Sequence, residues 1–169
     1  MNTRSALLRF RTTIGVFMAA LIASGLTAFP ILTEMRLLTN WLGLGSAISP
    51  AGHTGMDFWI LTLRFGLEDI YAHHPWIAYG TDWLAFGHIV IALFFVDPLI
   101  RPAESRPVLR AGIAACLLVT PLALVCGAIR GIPLYWQLID CSFGLLGLIP
   151  LCYAMSLLRW IDPDGRTGR

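Results

Sequence analysis

The sequence predicts an all-α fold: a four-helix transmembrane bundle with an additional interfacial amphipathic helix between the first and second crossings. Three observations carry this. The chain is 57% hydrophobic and 13% charged, where a soluble domain carries about a quarter charged residues. Four apolar runs reach the length a bilayer needs, about 20 residues at 1.5 Å per residue. All twelve basic residues are arginine, and nine of them fall in three clusters. Mean hydropathy of +0.72 agrees with a membrane chain, and 169 residues suffice for a single integral domain, 1–169, with no second domain beside it.

The first crossing spans about 14–32, behind Arg4, Arg9 and Arg11. A positive start and an apolar middle also describe a signal peptide, but Leu26 before Ala28 spoils the small-x-small cleavage pattern, so the segment reads as a retained helix. Pro30 kinks or ends it. Gly43, Gly45, Pro50 and Gly52 mark a loop with room for one short helix ahead of it, inside an outer segment covering 33–75. Thr54-Gly55-Met56-Asp57 has the form of a capping box. From Asp57 to Tyr71, the charged positions Arg64 and Glu68 each fall within about 20° of Asp57 at 100° per residue, with apolar residues around the remainder. Three charges in one stripe suit a helix lying along the membrane surface.

Pro75, at a favoured first-turn position, opens the second crossing, 76–96, whose Trp76, Tyr79 and Trp83 fit an interfacial aromatic belt. Asp97-Pro98 ends it. The third crossing, 108–129, follows Pro107. Arg130-Gly131-Ile132-Pro133 is so short a turn that the fourth crossing, 134–158, must be its antiparallel neighbour. Arg159, Arg166 and Arg169 close a polar tail with Asp162, Pro163, Asp164 and Gly165. Arginines before the first crossing, between the second and third, and after the fourth place both termini in the cytoplasm of a bacterial inner membrane. The outer segment then faces the opposite side.

Ionisable groups inside hydrocarbon cost about 2.5–3.5 kcal/mol on insertion scales, so they face protein or a wet cavity and mark candidate sites. Asp82 and Asp140 each lie about 9 Å below the outer end of their helix, at 1.5 Å per residue. Arg130 is the one arginine near that level, and its contact with either carboxylate is the least costly way to keep it ionised; without it, two carboxylates at one depth share a proton. An ion-pair network that only fixes helix packing is the plainer reading. His88 is about 18 Å down its helix and about 120° around from Asp82, so the two face different neighbours. As a plain core residue, His88 bonds a backbone carbonyl. As a ligand-binding residue, it supplies a hydrogen bond to a quinone or other apolar molecule walled by Trp83, Phe86, Tyr135, Trp136 and Phe143. A self-contained bis-histidine haem lacks its second ligand, because no other crossing contains histidine. Bound lipid is the remaining candidate.

On the outer segment, Asp69 and His73 stand at i and i+4 with Glu68, His53 and His74 near in sequence, a set with the chemistry to hold a zinc-like ion. Ordinary surface histidines are the alternative. No Ser-His-Asp ordering, GxSxG, HExxH or phosphate-cradling glycine loop is present. Basic runs with interleaved aromatics are also absent, which argues against nucleic acid as a partner. The four cysteines, Cys116, Cys126, Cys141 and Cys152, form no CxxC pair and read as small core fillers. A bridge between Cys126 and Cys141 is the alternative, since both fall in the outer halves of neighbouring helices.

The stretch Ala78-Tyr79-Gly80-Thr81-Asp82-Trp83-Leu84-Ala85-Phe86-Gly87-His88, together with Arg130-Gly131-Ile132-Pro133, Ile139-Asp140-Cys141-Ser142-Phe143-Gly144 and Thr27-Ala28-Phe29-Pro30, resembles a group of uncharacterised bacterial four-helix integral membrane proteins. That resemblance implies the architecture and carries no activity, cofactor or partner. The expectation is a non-enzymatic inner-membrane protein, binding a small apolar ligand or serving as an accessory subunit of a membrane complex, with membrane lipid, partner subunits or a second copy as its associates. Asp82, His88, Arg130 and Asp140 organise its outer half. The rival is an outward-facing enzyme, working through a metal at Asp69, His73 and His74 or through the two aspartates, on a lipid-linked substrate.

Overall fold

A computed structural model of the chain describes residues 2–162; Arg166 and Arg169 of the polar tail, with Pro163, Asp164 and Gly165, lie outside the described residues. The fold is all-α. Its elements are α1 (Thr3–Ala28), α2 (Ile31–Trp41), α3 (Gly55–His73), α4 (Pro75–Phe94), α5 (Val96–Ile100), a 3-10 turn at Pro102–Glu104, α6 (Arg106–Ile129) and α7 (Leu134–Ile161). Four stretches are long and apolar enough to cross a membrane: α1, the α4–α5 run, α6 and α7. Two compact units emerge, Met1–Ala20 with Ala92–Arg169, and Leu21–Ile91.

The first unit is built on the α6–α7 hairpin. Its turn follows from one residue. Gly131 sits at φ +67°, where a Cβ is costly, and this lets the chain close a double cap on α6. The Ile132 N–H donates to the Gly127 carbonyl at 2.9 Å and the Gly131 N–H to that of Ala128 at 3.2 Å, which satisfies two carbonyls a helix end leaves orphaned. Pro133, with φ −58° and ψ 141°, then starts α7. The two helices approach through small residues. A Cβ on Gly144 would lie 2.5 Å from the Cys116 carbonyl oxygen, and one on Gly127 would lie 2.6 Å from the side chain of Gln137. Close backbone approach is the means of helix association where lipid offers no hydrophobic driving force.

In the same unit Ala6, Phe10 and Ile14 are wholly buried, four residues apart and hence on one stripe of α1. Phe17 meets Phe95 edge to face, with ring centres 4.9 Å apart. The second crossing does not end at Asp97-Pro98 as expected. The helix breaks at Phe95 and resumes to Ile100, because Pro98 falls in the first turn of α5, where its missing N–H has no helical acceptor to lose. The cysteines are all free. No Cys126–Cys141 bridge forms, since the buried Cys141 thiol is directed at the Thr120 carbonyl, 3.9 Å away.

In the second unit, Gly25 brings the end of α1 against α4: a Cβ there would lie 2.7 Å from the Ala85 carbonyl oxygen. The first helix begins at Thr3 and stops at Ala28, so it starts about eleven residues before the expected 14 and ends before 32. Arginine is a good helix former, so Arg4, Arg9 and Arg11 extend the helix, and Pro30 separates it from α2. Thr54 is the N-cap of α3, yet its side chain makes no capping bond; the expected capping box does not close. His74, immediately before Pro75, leaves the helical region at φ −134°, as residues preceding proline do, and divides α3 from α4.

Two members of the polar stripe of α3, Arg64 and Glu68, face α2 and its following loop, while Asp57 stays exposed. Arg36 Nε on α2 donates to Glu68 Oε1 at 2.9 Å, Arg64 Nε donates to the same oxygen at 3.4 Å, and Arg64 Nη1 reaches the Gly45 carbonyl at 3.3 Å. Arg64 and Glu68 share their side of the helix with the buried Ile60 and Leu61. The charges of Arg64 and Glu68 therefore join α3 to α2 and its following loop; a guanidinium on α2 gives Glu68 a partner that the α3 sequence alone does not reveal.

Candidate functional site

Two cavities contain the aspartates singled out in the sequence, one in each unit. In the first unit, α6 and the start of α7 line a groove of about 340 Å³ with Val119, Leu122, Ala123, Cys126, Gly127, Arg130, Ile132 and Asp140. The helices explain this placement. Gln137, Cys141 and Gly144 are buried and form the seam with α6; Asp140, half-buried, lies three residues after Gln137 and four before Gly144, beside that seam on the groove side. Arg130 is the last residue of the α6 terminus. The structure thus brings Arg130 and Asp140 to one groove. They do not close an ion pair there: among the described residues, the ion pairs fall elsewhere.

Gln137 stands beside this groove without lining it, and sequence reasoning missed it. Its amide donates to the Ile132 carbonyl at 2.6 Å, so it braces the turn that presents Arg130. A polar side chain one turn before a membrane aspartate was the available signal.

In the second unit, a cleft of about 240 Å³ is lined by Phe29, Tyr79, Asp82, Trp83 and Phe86. Positions 79, 82, 83 and 86 share one face of α4 by helical spacing. His88 is elsewhere: its Cβ faces Gly25 of α1, and Nδ1 lies 3.1 Å from the Leu84 carbonyl. A carbonyl only accepts, so Nδ1 carries the proton in this bond. Trp83 and Phe86, expected to wall His88, line the cleft of Asp82.

The outer candidates meet only in pairs, Asp69 with His73 and, ring edge to ring face, His73 with His74. His73 Nδ1 meets Asp69 Oδ1 at 2.9 Å, with both side chains about two-thirds exposed. His74 turns its ring edge-on to Trp76, with centres 6.4 Å apart, and Glu68 is taken up by Arg36 and Arg64. Among the described residues no group of three metal-ligating side chains comes together, so Asp69, His73 and His74 do not assemble the expected set. The pair is an ordinary i, i+4 contact on an exposed helix end.

Comparison with known protein families, curated proteins and solved structures gave no match, so what the chain does must be argued from these grooves and the helices that frame them.

Proposed function

We propose that this chain is a non-enzymatic integral protein of a bacterial inner membrane, crossing it four times with both termini in the cytoplasm, and that it binds a small, mainly apolar ligand in the α6–α7 groove. The observation carrying this reading is the groove's composition. Its walls are aliphatic, while Arg130 and Asp140 stand at it without neutralising each other directly. Such a site fits a ligand with an apolar body and one polar end, as a quinone or lipid has, because a few placed polar groups fix orientation while apolar walls supply affinity. The membrane orientation rests on the clustering of nine arginines around Arg4–Arg11, Arg101–Arg110 and Arg159–Arg169.

Purification in a mild detergent, followed by native mass measurement, an absorption spectrum and analysis of extracted lipid, tests the ligand. A retained mass that is lost in Arg130→Ala and Asp140→Asn supports the reading; an empty protomer recovered from native membrane patches overturns it. A reporter enzyme fused to the C-terminus tests orientation, and activity confined to the cell exterior contradicts it.

A second reading, an accessory subunit of a membrane complex, draws on the apolar residues exposed outside the four long helices. Leu37 and Trp41 on α2 and Ile48 in the next loop are 63%, 83% and 93% exposed. Patches of this kind mark protein or membrane contacts. The same native mass measurement reads it, through partner subunits or a second copy that co-purify with the wild-type chain and are lost from Trp41→Ser.

A further inference from the structure

We propose that the Asp82 cleft is a binding site for an alkylated ammonium group: the cationic head of an amphiphile whose tail remains among apolar side chains or lipid. The inference concerns a different cleft from the α6–α7 groove and stands whether or not that groove holds a ligand.

Its first support is the identity of the walls. Four of the five lining residues are aromatic, Phe29, Tyr79, Trp83 and Phe86, and the fifth is a carboxylate. An aromatic face carries negative potential, attracting cations by about 0.5–1 kcal/mol when exposed and about 2 or more when desolvated. A carboxylate adds a full negative charge. No arginine lines the cleft, so an anion would find no cationic partner there and would be repelled by the Asp82 carboxylate.

Geometry is the second support. Tyr79 and Trp83 meet with ring centres 6.1 Å apart at 87°, and Trp83 and Phe86 at 6.4 Å and 86°. Rings set at right angles cover less of each other than stacked rings do, and Trp83, 60% exposed, lines the cleft together with Asp82. Asp82 makes no ion pair or hydrogen bond among the described residues. Arg64 and Arg36 of the same unit are committed to Glu68, so they do not supply its counter-charge.

The ligand class follows from hydration and size. A carboxylate among aromatic rings favours a weakly hydrated, alkylated cation over a small metal ion, which needs several oxygen ligands. A quaternary ammonium meets both demands by placing methyl groups against ring faces and charge near Asp82. At about 240 Å³ the cleft is below the roughly 300 Å³ at which cavities begin to enclose a drug-sized molecule. It therefore takes a head group, and the tail lies outside it. Free amphiphilic cations and choline-type lipid head groups share this chemistry.

The test uses the full chain purified in maltoside detergent, with dodecyltrimethylammonium as probe and tryptophan fluorescence and calorimetry as readouts. Saturable binding is expected, with dodecanol and dodecyl sulfate failing to compete. Asp82→Asn should weaken binding at least tenfold, Asp82→Glu should retain most of it, and Trp83→Leu should lose more than Trp83→Phe. In nanodiscs, strong competition by phosphatidylcholine but not phosphatidylglycerol identifies a lipid head group as the occupant, whereas unimpaired probe binding in phosphatidylcholine identifies a free cation. Competition by dodecanol as effective as by the unlabelled cation overturns the proposal on the wild-type chain alone, whatever becomes of the variants; so does equal affinity in a folded Asp82→Asn protein.

Discussion

The α6–α7 hairpin and the α2–α3 pair join two helices by opposite means. Between α6 and α7 the backbones come close at Gly127 and Gly144, and the polar side chains at the seam bond to carbonyls, Gln137 to Ile132 and Cys141 to Thr120. Between α2 and α3 the connection is a shared carboxylate, Glu68, between two guanidiniums, over a buried Thr39 and Leu61. The contrast is one of solvent. The hairpin helices are long and apolar enough to sit in lipid, where an ion pair must recover a heavy desolvation cost and packing has to come from shape. α2 and α3 are outside that class, and charges near water can be exchanged for one another at little cost.

The sharpest way to break this contrast is to replace a glycine in each pair. Gly144→Leu should be the most damaging change, because the atoms in its way are the Cys116 carbonyl oxygen and Val119 Cβ, 2.5 and 3.0 Å from where a Cβ would stand, and backbone cannot swing aside. Overpacking of this kind costs about 3 kcal/mol, seen as a lower unfolding midpoint in detergent. Gly66→Ala in α3 has nothing within 4 Å and should stabilise by up to about 1 kcal/mol, through helix propensity alone. Equal behaviour of the two variants would mean that α6 and α7 are not held by close approach.

Gln137→Leu comes next. It removes the amide that bonds the Ile132 carbonyl at 2.6 Å while keeping much of the side-chain bulk against Gly127. The expected loss is about 1 kcal/mol, and Gln137→Glu should be worse, since an ionised carboxylate cannot donate. Faster hydrogen exchange at Gly131 and Ile132, with the centre of α6 unchanged, would locate the damage at the turn.

The same contrast explains what could be read from the sequence. Apolar runs of bilayer length identify the four long helices because the requirement is local, and the four-residue connection Arg130-Gly131-Ile132-Pro133 reveals the hairpin because so short a turn leaves only an antiparallel neighbour. Local motifs did less well where a bond depends on a distant partner. Thr54-Gly55-Met56-Asp57 has the residues of a capping box and makes no such bond. The charged stripe of α3 looks solvated until Arg36, 32 residues from Glu68, arrives from α2. Depth counting singled out Asp82 and Asp140, which line separate cavities; helical spacing puts Trp83 and Phe86 on the face of Asp82, whereas no local pattern shows that Gln137 braces the turn beside Arg130. Asp69, His73 and His74 carry metal-ligand chemistry in sequence, and the chain turn at His74 with the capture of Glu68 keeps them from converging.

The smallest expected effect sharpens the comparison from the charged side. The Arg36 guanidinium bonded to Glu68 holds that carboxyl below its ordinary value; burial works against this, and Arg64 adds to the lowering. The folded chain then binds fewer protons at this position than the unfolded chain does. Stability from the α2–α3 pairing is accordingly complete above the unfolded carboxylate range, near about 4.3, and is lost as pH falls through the lowered folded value. Because Arg36 is 55% exposed and Glu68 25%, the contribution is below about 1 kcal/mol and is reduced further by salt. Amide protection across α2, with the intrinsic pH dependence of exchange divided out, should be steady from neutral pH to about 5 and fall below about 4, while Glu68→Gln should be less protected at neutral pH and change less on acidification. Other carboxylates titrate in the same range, so the difference between wild type and Glu68→Gln is the informative quantity. A pH profile shared by both proteins would assign the α2–α3 contact to its apolar residues, and the two helix pairs would then differ in their surroundings but not in what holds them.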